Sequence, residues 1–85
     1  MHTIEDFRNA PFESKCDWVV TQADYLSMRW ISGCKVMLYA SGSFFIEVYF
    51  STRYHRVLMI NAFREVNQLM PYVEKLSLQE LLKTD

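Results

Sequence analysis

The spacing of hydrophobic positions changes period twice along the chain. Near the start, Ile4 and Phe7 lie one helical turn apart, and Thr3 stands three residues before Asp6 in the spacing of a helix N-cap. Pro11 suits the first position of a second helix, with Glu13 in its first turn, where the helix dipole favours an anion. Phe12, Cys16, Val19 and Val20 then recur at i, i+4, i+7 and i+8, which predicts one buried stripe.

From Tyr25 the alternation becomes strand-like. It predicts strands over Tyr25–Ile31, Lys35–Ala40, Ser43–Phe50 and Arg56–Phe63, with turns at Ser32-Gly33 and Ser41-Gly42 and a polar connection over Ser51–His55. Connections this short join antiparallel neighbours, so the middle reads as a four-stranded meander. Helical spacing returns through Val66, Leu69, Met70, Val73 and Leu76. Pro71 is tolerated there if the helix starts near Asn67, because first-turn amides have no partner. Ser77 and Glu80 have capping-box spacing and predict a last short helix carrying Leu81 and Leu82. The expected fold is one α+β domain over residues 1–85: a four-stranded antiparallel β-meander, N-terminal helices, and a C-terminal helix packed on the sheet.

The two faces of the meander are both too apolar for a sheet with one wet side. A two-residue turn at Ser41-Gly42 pairs Ala40 with Ser43, Leu38 with Phe45 and Val36 with Glu47. One face then carries Met37, Tyr39, Phe44, Ile46, Val48 and Phe50. The other carries Val36, Leu38, Ala40, Phe45 and Tyr49, interrupted by Glu47. Helices of one chain cover one face well; the second requires the N-terminal helix, a second copy or a partner. Two-fold homodimers are the commonest soluble oligomers, so a homodimer is the expected answer.

Composition narrows the class. At 85 residues, with 51% hydrophobic and 22% charged residues, the chain supports one small folded core rather than disorder. Two cysteines without ligand spacing give neither a disulfide framework nor a zinc ribbon, and no apolar run is long enough to span a membrane. The N-terminus has no signal-peptide pattern, which makes the cytoplasm the expected location.

Chemistry is scarce. The common metal, phosphate and acyl-transfer signatures are absent. Ser32-Gly-Cys-Lys35 matches S-x-x-K as a string, but it includes Gly33 and enters a strand, where the chemistry needs a helix start. A Cys34–His55 nucleophile pair would need hydrogen-bond contact, yet the third strand of the meander stands between them and no orienting acid is at hand. Glu47 is the only acid between Tyr25 and Arg64, and the expected partner is Arg56 or Lys35 at a sheet rim. The expectation is a non-enzyme with no cofactor and no metal site.

Charge is unevenly distributed. The net is −1, but residues 1–24 sum to −3, residues 25–64 to +4 and residues 65–85 to −2. Arg53-Tyr54-His55-Arg56 could neutralise phosphates and stack bases, although helices favour Glu and strands deplete it, which produces some of this asymmetry anyway. A net negative chain also lacks the basic excess of most nucleic-acid binders.

The strings Tyr39-Ala-Ser-Gly-Ser-Phe44-Phe-Ile-Glu-Val48-Tyr, Ile60-Asn-Ala-Phe63 and Leu69-Met-Pro-Tyr72-Val-Glu resemble small uncharacterised bacterial single-domain proteins of this length. That resemblance implies a helical start, a β-meander and a C-terminal helix, and it brings no activity, cofactor or site residues. The leading expectation is therefore a self-associating protein–protein interaction module using Phe45, Glu47, Tyr49, Tyr54 and Arg56. Its alternative is a nucleic-acid binder centred on Arg53 to Arg56.

Overall fold

The computed structural model describes residues 3–72. Two short helices, α1 (Ile4–Arg8) and α2 (Phe12–Gln22), precede strands β1 (Asp24–Ile31), β2 (Cys34–Ser41), β3 (Phe44–Ser51) and β4 (Arg56–Phe63). The strands pair antiparallel in the order β1-β2-β3-β4. A 3-10 helix, Val66–Tyr72, follows as a strap across one sheet face. The fold is α+β with the meander that the alternation predicts.

Each element has a local cause. Thr3 caps α1 by accepting a hydrogen bond from the Asp6 amide at 3.1 Å, and the helix buries Ile4 and Phe7. Pro11 stands one position earlier than expected, as the N-cap of α2. There its carbonyl accepts from the Lys15 amide while its own nitrogen needs no partner. In the strap, Pro71 carries no amide hydrogen to donate, and an i to i+3 bond from Gln68 N to the Glu65 carbonyl (3.0 Å) marks the tighter winding. The helix expected from Asn67 is thus 3-10 up to Tyr72. Its expected continuation through Val73 and Leu76, and the final helix from Ser77, lie outside the described residues.

The β2–β3 turn lies one residue later than the sequence suggests. Gly42 and Ser43 form it, Ser41 pairs with Phe44, and Leu38 therefore faces Glu47 rather than Phe45. Gly42 takes φ +57° at the first central position, where a type II′ turn needs glycine. A turn on Ser41-Gly42 would have placed glycine second. The slip changes each partner by two residues, so parity is kept and every side chain stays on its expected face.

Those faces are covered unequally. On the first, Phe44, Ile46, Val48 and Ala62 pack against Ile4, Phe7 and Val19. Arg8 donates to the Ala62 carbonyl at 2.8 Å and pins α1 to edge strand β4. Trp18 donates to Ser41 Oγ at 2.7 Å and fixes α2. On the second face Leu38, Phe63, Leu69 and Tyr72 form a separate core, with Phe45 stacked on Phe63 at 5.5 Å between ring centroids. The chain's own strap thus covers the part of the second face around Leu38, Glu47 and Phe63, while Met59, opposite Tyr49, stays 49% exposed.

Candidate functional site: a buried carboxylate and an open apolar groove

Two features stand out, one on each face. Under the strap, Glu47 is only 5% exposed at the middle of β3. Its Oε2 accepts from the Tyr72 hydroxyl (2.7 Å) and from Arg29 Nη2 (3.3 Å), and its Oε1 accepts from Asn61 Nδ2 (3.0 Å). The Arg29 guanidinium also lies 5.2 Å from the centre of the Tyr72 ring. The rim pairing with Arg56 or Lys35 is therefore corrected: Glu47 sits inside, and its cation comes from β1, across β2. Burial pushes the Tyr72 hydroxyl well above its ordinary pKa, and its hydrogen bond to Glu47 adds to the effect. Burial pulls the Arg29 guanidinium down, but Tyr72 and Glu47 outweigh it and hold Arg29 more firmly charged. Burial and the Glu47 charge likewise raise the Tyr49 hydroxyl.

A buried carboxylate with three donors is a satisfied structural group, since both oxygens are engaged and strap and strand are closed over it. Its chemical effect here is to fasten the strap: a charge left without Tyr72 and Arg29 would be costly to bury.

The second feature lies on the opposite face. Of the expected buried stripe on α2, only Val19 is buried; Phe12 is 50% and Val20 82% exposed. Strand register arranges this face in rows, with Met28, Met37, Val48 and Ile60 in one and Trp30, Lys35, Phe50 and Val57 in the next, towards the Gly33 turn. The helices cover the rows above these fully and these only in part: Val48 is buried in the same core, Met37, Val57 and Ile60 pack partly buried against it, and Trp30 stands out in solvent. Between α2 and the barer rows runs an open groove of about 190 Å³, lined by Cys16, Val19, Val20, Met37, Tyr39, Val48, Val57 and Ile60. Trp30, at 60% exposure, extends the apolar surface past it. Burial, then the nearby charges of Asp17 and Glu13, raise the Cys16 thiol, so this cysteine is poorly disposed to act as a thiolate.

The residues expected to form one interaction surface fall into two places. Phe45, Glu47 and Tyr49 share the strap-covered face, Phe45 and Glu47 as parts of its packing and hydrogen bonding. Tyr54 and Arg56 lie at the β3–β4 turn, where Arg56 and Arg53 stand 5.7 and 5.5 Å from the Tyr54 ring centre. The turn is tied to its neighbour by Thr52, whose hydroxyl donates to the Gly33 carbonyl at 3.0 Å. Cys34 pairs across to Ser51 in the sheet, and no hydrogen bond joins it to His55. Among the described residues no group of three His, Cys, Asp or Glu side chains could hold a metal ion, and no helix is long and apolar enough to cross a membrane.

Sequence reasoning missed the groove because periodicity shows which residues share a side of α2, not how far the sheet extends beneath them. No protein-family model, curated protein or solved structure matches this chain.

Proposed function

We propose that this protein is a non-enzymatic interaction module that self-associates, with the barer rows of its first sheet face as the working surface. The observation that carries this reading is the apolar groove beside α2, with Val20 standing almost fully in solvent above it. At about 190 Å³ the groove falls below the roughly 300–1,000 Å³ of a typical small-ligand site. An open apolar surface continuing past it to Trp30 and Phe50 suits a protein surface better than an enclosed metabolite. Engagement of Glu47 by Tyr72, Arg29 and Asn61 supports the non-enzymatic part.

The test is mass by size-exclusion chromatography with light scattering for the native chain and for Val20→Asp. Val20 is exposed, so the substitution leaves the core intact. A native dimer reduced to monomer by Val20→Asp supports the reading; a native monomer, or a variant that stays dimeric, overturns it. A second reading, single-stranded nucleic acid bound at the turn, is favoured by the two guanidiniums around exposed Tyr54. It requires oligonucleotide affinity that falls with added salt and is lost in Arg53→Glu/Arg56→Glu.

A further inference from the structure

The end of the sheet at the Gly33 turn differs in charge from the rest of the molecule. The β1–β2 and β3–β4 turns meet there, and Thr52 braces them: its amide and its hydroxyl both donate to the Gly33 carbonyl, at 3.4 and 3.0 Å. The Tyr54 amide donates to Ser51 Oγ at 3.0 Å, and His55 takes φ +54°, which fixes the second turn. Register puts Lys35 on the groove face, between Trp30 and Phe50, and Arg56 on the strap face, opposite Ser51. Arg53 joins Arg56 beside the Tyr54 ring. The cations therefore belong to the end of the sheet and not to either face. Among the described residues no ion pair takes up any of the three. Neither turn carries an acid, nor do the two nearest rows of strand residues. The described acids lie on the helices, at the opposite end in Asp24 and Glu65, or, as Glu47, inside a hydrogen-bonded network. Two large aromatics, Trp30 and Tyr54, both stand exposed at this acid-free end.

We infer that this whole end, and not the β3–β4 turn alone, is a platform for single-stranded nucleic acid. Trp30 and Tyr54 each stack on a base, and Lys35, Arg53 and Arg56 meet the phosphates. The inference rests on the second reading above and extends its site across β2 to β1. Exposed aromatics beside unpaired cations suit a polymer that alternates flat rings with single negative charges, a pattern that an acidic peptide lacks. The backbones of Trp30 and Tyr54 stand at least two strand spacings apart, roughly 10 Å. A strand that reaches both rings must cross the end from one turn to the other. A duplex keeps its base faces stacked on one another, so the rings take bases only from an open single strand.

The experiment titrates the chain with labelled oligothymidine and oligouridine about twelve nucleotides long, and with a duplex of that length. Trp30 also borders the apolar groove, so the protein is kept dilute enough to be monomeric by light scattering. Circular dichroism verifies the fold of each variant; Trp30, Arg53 and Arg56 are exposed and Lys35 is partly so. Both single strands should bind at least about tenfold more tightly than the duplex, and added salt should weaken them. Trp30→Ala should weaken binding at least about fivefold. Lys35→Ala should lower the slope of log affinity against log salt by about one. In a Trp18→Phe chain the remaining indole should be quenched as the strand binds. Binding that is lost in Arg53→Glu/Arg56→Glu but unchanged in Trp30→Ala and Lys35→Ala leaves the turn reading standing and removes the two-turn platform. Absence of binding by the native chain removes both. A duplex bound as tightly as a single strand, or polyglutamate that competes as well as an oligonucleotide, also overturns the platform.

Discussion

Glu47 shows how one residue can be conspicuous for the wrong reason. As the only acid in a forty-residue stretch it attracts a functional reading, yet its three donors make it a fastening. Removing the acid by Glu47→Ala strands Arg29 in a largely buried position and should cost about 3 kcal/mol, the lower end for a broken buried pair because Arg29 keeps some solvent contact. Tyr72→Phe removes one charge-assisted hydrogen bond and should cost about 1.5 kcal/mol. Urea unfolding of both variants checks the order; equal costs would contradict it. The same tyrosine sets an alkaline limit. Its folded pKa lies above the unfolded value near 10, so its contribution is intact below about pH 10 and is lost as pH rises beyond that. Tyr39 and Tyr49 are shifted the same way, by burial first. The stability gap between native and Tyr72→Phe chains should therefore narrow above pH 10, as read from melts at stepped pH.

At the scale of elements, the strands were legible and their fastenings were not. Alternation placed all four strands to within a residue or so at each end, and parity assigned both faces even though the β2–β3 turn slipped. Arg29 escaped because its partner lies two strands away and a bulge between Tyr25 and Ser27 interrupts the parity of β1. Tyr72 escaped because helical spacing through Leu69, Met70 and Val73 hides a 3-10 segment. Turn chemistry offers a direct check. Ser32 takes φ +42° ahead of Gly33 at φ +81°, the conformation that Asn-Gly serves best. Ser32→Asn should thus raise stability by about 0.5 kcal/mol. Gly42→Ala meets no atom within 4 Å, so its expected loss of about 1 kcal/mol is backbone strain alone. Thermal melts of the pair should move in opposite directions.

For the whole molecule, the asymmetry between faces matters most. One face carries the chain's own strap over Leu38, Glu47 and Phe63, while the other leaves an apolar groove beside a helix whose stripe half misses the core. A second copy covering that groove and the surface past it would shield Trp30. Its fluorescence should then shift to shorter wavelength as concentration rises, with Trp18→Phe used to leave a single indole. A spectrum unchanged across the dimerisation range would contradict that surface. The Arg8–Ala62 bond has a different consequence, for the order of folding. It joins residues 54 apart, whereas every strand pairs with its neighbour in sequence. The meander can therefore assemble from short loops before α1 has anything to dock on. Phe7→Leu should speed unfolding and leave the refolding rate almost unchanged, making the first helix of the chain the last to find its place.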